Sequence, residues 1–125
     1  MSKVNVPPTS VVDKTAVIGE GTRVWNFVHV REKATIGKDC VLADYVYVGR
    51  GVKVGDNVKI QNRATIYEGV TIEDKVFVGP HVTFTNDFYP RSFSKDWEIL
   101  PTCVKKGASI GARTVIVCGV TIGEY

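Results

Sequence analysis

Large apolar residues recur every six positions along this chain: Val6, Val12, Ile18, Val24, Val30, Ile36, Leu42, Val48, Val54, Ile60, Ile66, Ile72, Val78 and Phe84. The frame slips once and resumes at Val104, Ile110, Ile116 and Ile122. Four residues after each of these up to Val78, and again after Val104, Ile110 and Ile116, stands a small or β-branched residue, from Ser10, Ala16 and Thr22 to Ala108, Thr114 and Val120. The 12 glycines keep the same beat. Seven of them (19, 37, 49, 55, 79, 111 and 123) follow the large apolar position by one residue, and five (21, 51, 69, 107 and 119) follow it by three.

A period of six excludes a helical stripe, because six steps of about 100° rotate a side chain by roughly 240°. A simple sheet needs only alternation. A six-residue unit of short strand plus turn satisfies all three series. The large aliphatic points inward, the small residue fits the corner, and glycine supplies backbone angles that other residues resist. Three units close one turn of a triangular prism, and successive turns stack as parallel strands, which Val and Ile favour. Eighteen hexapeptides give six coils. The expected fold is an all-β parallel solenoid, a single domain over residues 1–125.

Composition narrows the function. Apolar residues make up 44% and charged residues 23%, so the chain is neither disordered nor membrane-spanning. Lys+Arg minus Asp+Glu is 16 − 13 = +3, with the charges scattered. That balance argues against nucleic acid as a partner and is compatible with small phosphorylated ligands. The three cysteines, Cys40, Cys103 and Cys118, have no C-x-x-C spacing, which speaks against a disulfide framework or a zinc site. Free thiols and an N-terminus without a long apolar core make the cytoplasm the expected location.

The interruption follows Phe84. A further unit due at residue 90 begins at 104, so 14 residues are inserted, giving a loop at about 87–103. Phe88, Tyr89, Phe93 and Trp97 stand in it beside Arg91, Lys95, Asp96 and Glu98. Aromatic residues on a protruding loop call for another surface, and insertions in solenoids commonly mark the binding face. Stacking at 18-residue intervals places the loop on the corner shared by Glu32, Arg50 and Glu68, with Asn86 next in line.

The units "IGEGTR", "IGKDCV", "VGRGVK", "VGDNVK" and "IGARTV" resemble the signature of the hexapeptide-repeat acyltransferases. That resemblance implies a left-handed coil. The strings "VWNFVHV", "NVKIQNRATIYEGVTIED", "FVGPHVTFTNDFYPRS" and "TCVKKGASIGARTVIVCGVTIGEY" are similar to one subgroup, the bacterial nucleotide-sugar N-acetyltransferases. These acetylate the 3-amino group of UDP- or dTDP-linked sugars in O-antigen or S-layer synthesis. The resemblance implies acetyl-CoA as cosubstrate, no metal, and a homotrimer with CoA in the groove between subunits.

Such a transfer needs a neutral amine held about 3–3.5 Å from a thioester carbonyl, and a donor for the oxyanion. The "FTN" element makes Asn86 the candidate catalytic residue, its amide oxygen accepting from the amine. An Asn that merely tolerates a turn is the alternative. His29, Arg31, Gln61, Asn62, Tyr67, Glu68, Tyr89 and Arg91 are candidates for sugar-nucleotide contacts, with Arg31 or Arg91 suited to a diphosphate or uronate. Solvated surface groups are the alternative for each. Lys105 and Lys106, with the turn glycines Gly107 and Gly119, are candidates for the cofactor, a solvated lysine pair being the alternative.

Three rival readings stand beside this one. A sugar O-acetyltransferase of the same fold would use a histidine base. A zinc carbonic anhydrase of this fold needs three histidines, and the chain has His29 and His81. The third is a non-catalytic scaffold: the chain stops at Tyr125, within a hexapeptide, where the family's members continue through further coils and a cap. The resemblance implies either that C-terminal coils and a cap are missing or that the end is protected by assembly.

Overall fold

The computed structural model describes residues 4–125. Three parallel sheets run along it. The first stacks Val11–Val12, His29–Val30, Tyr47–Val48, Thr65–Ile66, Thr83–Phe84 and Val115–Ile116. The second stacks Val17–Ile18, Thr35–Ile36, Lys53–Val54, Val70–Ile72, Thr102–Val104 and Thr121–Ile122. The third stacks Arg23–Val24, Val41–Leu42, Lys59–Ile60, Phe77–Val78 and Ser109–Ile110. The chain visits the sheets in rotation, giving a β-solenoid of about six turns, the architecture of the left-handed β-helix. Among the described residues there is no helix, so none crosses a membrane.

Each strand is two or three residues long because the sixfold repeat leaves no room for more. The last member of each strand is the large apolar residue, and the residue before it points outward. Val30, Leu42, Val48, Ile60, Ile66, Val78, Phe84 and Val104 are all fully buried. The small series is buried beside them, from Val28 and Ala34 to Val82 and Ala108. Thr22 sits in that series and stays satisfied. Its hydroxyl donates to the Gly37 carbonyl (2.7 Å) and accepts from the Cys40 N–H (3.0 Å). Burial pushes the Cys40 thiol up from its ordinary value. All three cysteines are free.

The two glycine series answer to different physics, which corrects the single backbone-angle explanation. Glycines three after the apolar residue have positive φ, as at Gly51 (+67°) and Gly69 (+103°). Yet Phe27, Lys33, Tyr45, Arg63 and His81 hold the same left-handed corner without being glycine. That conformation costs a side chain about 1–2 kcal/mol, and one corner offsets it by stacking. Phe27 and Tyr45 lie 5.0 Å apart and near parallel, and the Arg63 guanidinium sits 4.2 Å over the Tyr45 ring. Five of the seven glycines one after the apolar residue (19, 37, 49, 55 and 79) are there for space, while Gly111 and Gly123, in the last coil, meet nothing closer than 3.9 Å. A Cβ on Gly49 would come within 2.6 Å of the Glu68 nitrogen, and one on Gly19 within 2.6 Å of the Gly37 carbonyl carbon.

Register across the interruption is direct. Ile66 pairs with Phe84 and Phe84 with Ile116, while Ile72 pairs with Val104. From Ile72 to Val104 is 104 − 72 = 32 residues, 14 beyond the 18 that separate other partners such as Ile66 and Phe84. The extra chain leaves from the corner between the first and second sheets.

Candidate functional site

The loop is fastened at its root. Asp87 and Ile99 form an antiparallel bridge, the one departure from parallel pairing among the described residues. Gly69 permits it, since a Cβ there would lie 2.5 Å from the Ile99 Cγ2. The Gly69 carbonyl then accepts from the Thr102 N–H (3.0 Å), and the buried Thr102 hydroxyl accepts from Gly119 N–H (3.2 Å). Asp87 Oδ1 accepts from Tyr89 N–H (3.2 Å), turning the chain outward. Phe88 and Tyr89 then meet edge to face at 4.9 Å.

Asn86 stands where the coil lets go. Its Nδ2 donates to the Glu68 carbonyl, one coil earlier, at 3.2 Å. That bond fixes the amide and leaves Oδ1 without a partner among the described residues. A groove of about 510 Å³ opens between the loop and this corner, lined by Tyr67, Asn86, Asp87, Pro90, Arg91, Ser92, Ser94 and Trp97. The loop's other side holds a cavity of about 360 Å³, lined by Asp87, Phe88, Tyr89, Ser94, Asp96, Trp97, Glu98 and Leu100. Asp87, Ser94 and Trp97 line both, so the loop is a thin wall between them.

Beside the groove, the outward positions of the first sheet read Val11, His29, Tyr47, Thr65, Thr83 and Val115. The Tyr47 ring meets His29 edge to face at 5.6 Å and Tyr67 at 5.8 Å. Its hydroxyl accepts from Arg31 Nη1 (2.9 Å), while Arg31 Nε donates to Glu32 Oε1 (2.6 Å). The Arg31 contact holds the Glu32 carboxyl below its ordinary value. Glu32, with Tyr47 second, raises that of Arg31.

The candidates named from sequence fall at three corners. Asn86, Tyr67 and Arg91 share the groove. Glu68 lies under Asn86 and offers its backbone carbonyl. Tyr89 lines the other cavity. His29 and Arg31 are not in the groove lining and reach it only through Tyr47, which meets Tyr67, and Arg31 is already engaged by Glu32. Arg91 is the freer cation: its Nη1 donates to the Pro90 carbonyl (2.7 Å), and no carboxylate pairs with it among the described residues. Gln61 and Asn62 sit at the corner between the third and first sheets, where the Asn62 carbonyl accepts from His81 N–H (2.9 Å). Lys105, Lys106 and Gly107 sit at the corner between the second and third sheets. There Glu73 takes Lys105 Nζ (3.4 Å) and Lys106 N–H (3.0 Å), and the Tyr125 ring lies against Gly107. Gly119 returns to the loop's corner, beside Leu100. One copy therefore does not bring the cofactor candidates together. Sequence reasoning passed over Tyr47 and left Trp97, Ser92 and Ser94 without a role. Tyr47 was within reach, since 18-residue stacking places it directly after His29.

Comparison with known proteins supplies what geometry alone does not. The chain matches the model described as bacterial transferase hexapeptide (six repeats) over residues 15–50 and 51–86. It is 55% identical over 126 residues to a dTDP-3-amino-3,6-dideoxy-alpha-D-galactopyranose 3-N-acetyltransferase of Aneurinibacillus thermoaerophilus, covering 96% of this chain and 62% of that protein. Among solved structures, the acetyltransferase domain of PglB from Neisseria gonorrhoeae superposes with a TM-score of 0.78 at 22% identity, over 95% of this chain and 53% of that one. PerB from Caulobacter crescentus, in complex with CoA and GDP-perosamine, gives 0.65 at 19% identity, over 98% and 50%. At those identities the structures share the fold. The chain spans between about half and 62% of the length of these relatives.

Proposed function

Because this chain belongs to the bacterial transferase hexapeptide family, we propose that it forms the amine-positioning part of an acetyl-CoA-dependent N-acetyltransferase acting on a nucleotide-linked 3-amino sugar. The identity of 55% to a 3-N-acetyltransferase supports the substrate class. The observation that carries the mechanism is the Asn86 amide, anchored through Nδ2 to Glu68 and left with Oδ1 as an acceptor at the groove.

In this reading the neutral sugar amine donates a hydrogen bond to Asn86 Oδ1, which aims the nitrogen lone pair at the acetyl carbonyl. The N–C bond forms, the C–S bond breaks, and the CoA thiolate leaves and takes the proton the amine gives up. An amine is nucleophilic when neutral, so no strong base is required. Arg91 pairs with the ligand's diphosphate, and Tyr67 and Trp97 flank the sugar nucleotide. CoA lies against a neighbouring copy in a homotrimer, which is how Lys105 and Lys106 of one corner reach the groove of another. The use of acetyl-CoA and a nucleotide sugar supports a cytoplasmic reaction in surface-polysaccharide synthesis.

The test is CoA release from acetyl-CoA in the presence of a dTDP-linked 3-amino-3,6-dideoxyhexose. Turnover is expected, and Asn86→Ala is expected to lower kcat about tenfold or more, the worth of one hydrogen bond of about 1.5 kcal/mol. The melting temperature should be kept. An unchanged kcat removes Asn86 from the mechanism. Transfer to hydroxy sugars alone, with a pH limb near the ordinary histidine value of about 6.5, selects the O-acetyltransferase instead.

A further inference from the structure

Tyr47 lines neither cavity, yet Tyr67 of the groove lining, His29 and Arg31 all contact it. Its neighbours in the outward row of the first sheet are His29 on one side and Thr65 on the other. Thr65 is short, so a ring on Tyr47 reaches across it to Tyr67, which leaves the same coil just after Ile66. The contact is edge to face, with centroids 5.8 Å apart and planes at 71°. Tyr67 in turn lines the groove with Asn86 and Arg91 and is 42% exposed.

An exposed ring on a turn has rotamer freedom that ligand binding would have to remove, at a cost in affinity. A ring held beforehand removes that cost. Tyr47 is itself held: His29 closes its other side at 5.6 Å, and Arg31 fixes its hydroxyl at 2.9 Å. The Arg31 charge is meanwhile matched by Glu32, which leaves Arg91 as the cation in the groove lining.

We propose that Tyr47 is a positioning residue for the ligand of this groove, acting through the ring of Tyr67. The substrate rests on the reading above, a nucleotide-linked amino sugar. Tyr47→Ala is expected to raise KM for the nucleotide sugar about fivefold, the order that an aromatic pair is worth. Its kcat and its KM for acetyl-CoA should stay within about twofold. Tyr47→Phe keeps the ring with its His29 and Tyr67 contacts, loses only the Arg31 hydrogen bond, and should rescue most of KM. A parallel rise in both KM values, a matching fall in kcat, or an unchanged KM in Tyr47→Ala overturns the proposal. If Tyr47→Ala does not fold, Tyr47→Leu keeps bulk without a ring edge and must show the same split.

A second measurement needs no turnover. The Tyr67 ring protons, followed by NMR in the protein without substrate, should keep their shifts in Tyr47→Phe and lose their ring-current displacement in Tyr47→Ala. Tyr67 signals indifferent to Tyr47→Ala sink the idea whatever the substrate is. Absence of turnover in the wild type would instead strike the functional reading, and the NMR comparison would still decide what Tyr47 holds.

Discussion

In the coils, Val30, Val48, Ile66 and Phe84 stack in one row with no exposed surface. In the loop that follows Phe84, Tyr89 is 74% exposed and Phe93 80%. The same chemical class is hidden in one region and shown in the other. The coils bury apolar area against the next turn of their own chain, so their contacts are local in space and set by an 18-residue step. The loop has no next turn above it. One antiparallel bridge and one Gly69 carbonyl hold its root, and Phe88, Tyr89 and Trp97 form cavity walls. Stability therefore resides in the repeat, and the candidate chemistry resides where the repeat is broken.

The sharpest break of that contrast is Phe84→Ala. This side chain is among the largest fully buried ones and stands one step before the exit. Its removal is expected to cost about 3–5 kcal/mol, read as a lower urea midpoint. A loss under about 1 kcal/mol would mean the last coil before the loop is not packed as described. Gly49→Ala comes next. Its Cβ would press on the Glu68 backbone within 2.6 Å, for an overpacking cost of about 1–3 kcal/mol. Gly51→Ala, two residues on, has open space but a φ of +67°, and should cost about 1 kcal/mol. Reversal of that order in thermal unfolding would refute the distinction between the two glycine series.

In the loop, Phe93→Ser should shift stability by no more than about 0.5 kcal/mol, because little of that ring is covered in one copy. A larger loss at high protein concentration alone would locate a neighbouring copy on it. The smallest effect concerns Glu32, which holds in an early coil the corner place that Asn86 takes in the loop's coil. Its folded-state value is depressed by Arg31, below the ordinary 4.5. The pair's contribution is thus fully present above about pH 4.5 and fades as the pH falls through the depressed value. An NMR titration should give a Glu32 midpoint below that of the Arg31→Ala variant, and equal midpoints would dissolve the pair.

The repeat was legible because a solenoid converts sequence distance into spatial distance. Val12, Val30, Val48, Ile66 and Phe84 could be aligned on paper, and they pair in that register. The corner from which the loop departs, and Asn86 stacked above Glu68, came from the same arithmetic. The twelve glycines were legible in position but not in cause. Both series mark turns, and only coordinates separate a left-handed φ from the close approach of the next coil. The pairing of Arg31 with Glu32, which leaves Arg91 the freer cation, was not legible either, because side-chain choice between two partners depends on reach and angle.

A strict sixfold period, with one slip of 14 residues, was enough to determine the solenoid, its core and the place of its interruption. Those follow from backbone geometry repeated identically at every coil. Tertiary structure alone decided which candidates share a groove, for inside the loop the period is lost. There, sequence distance no longer measures distance in space, and Tyr67, Asn86, Arg91 and Trp97 meet only because the chain folds back through Asp87 and Ile99.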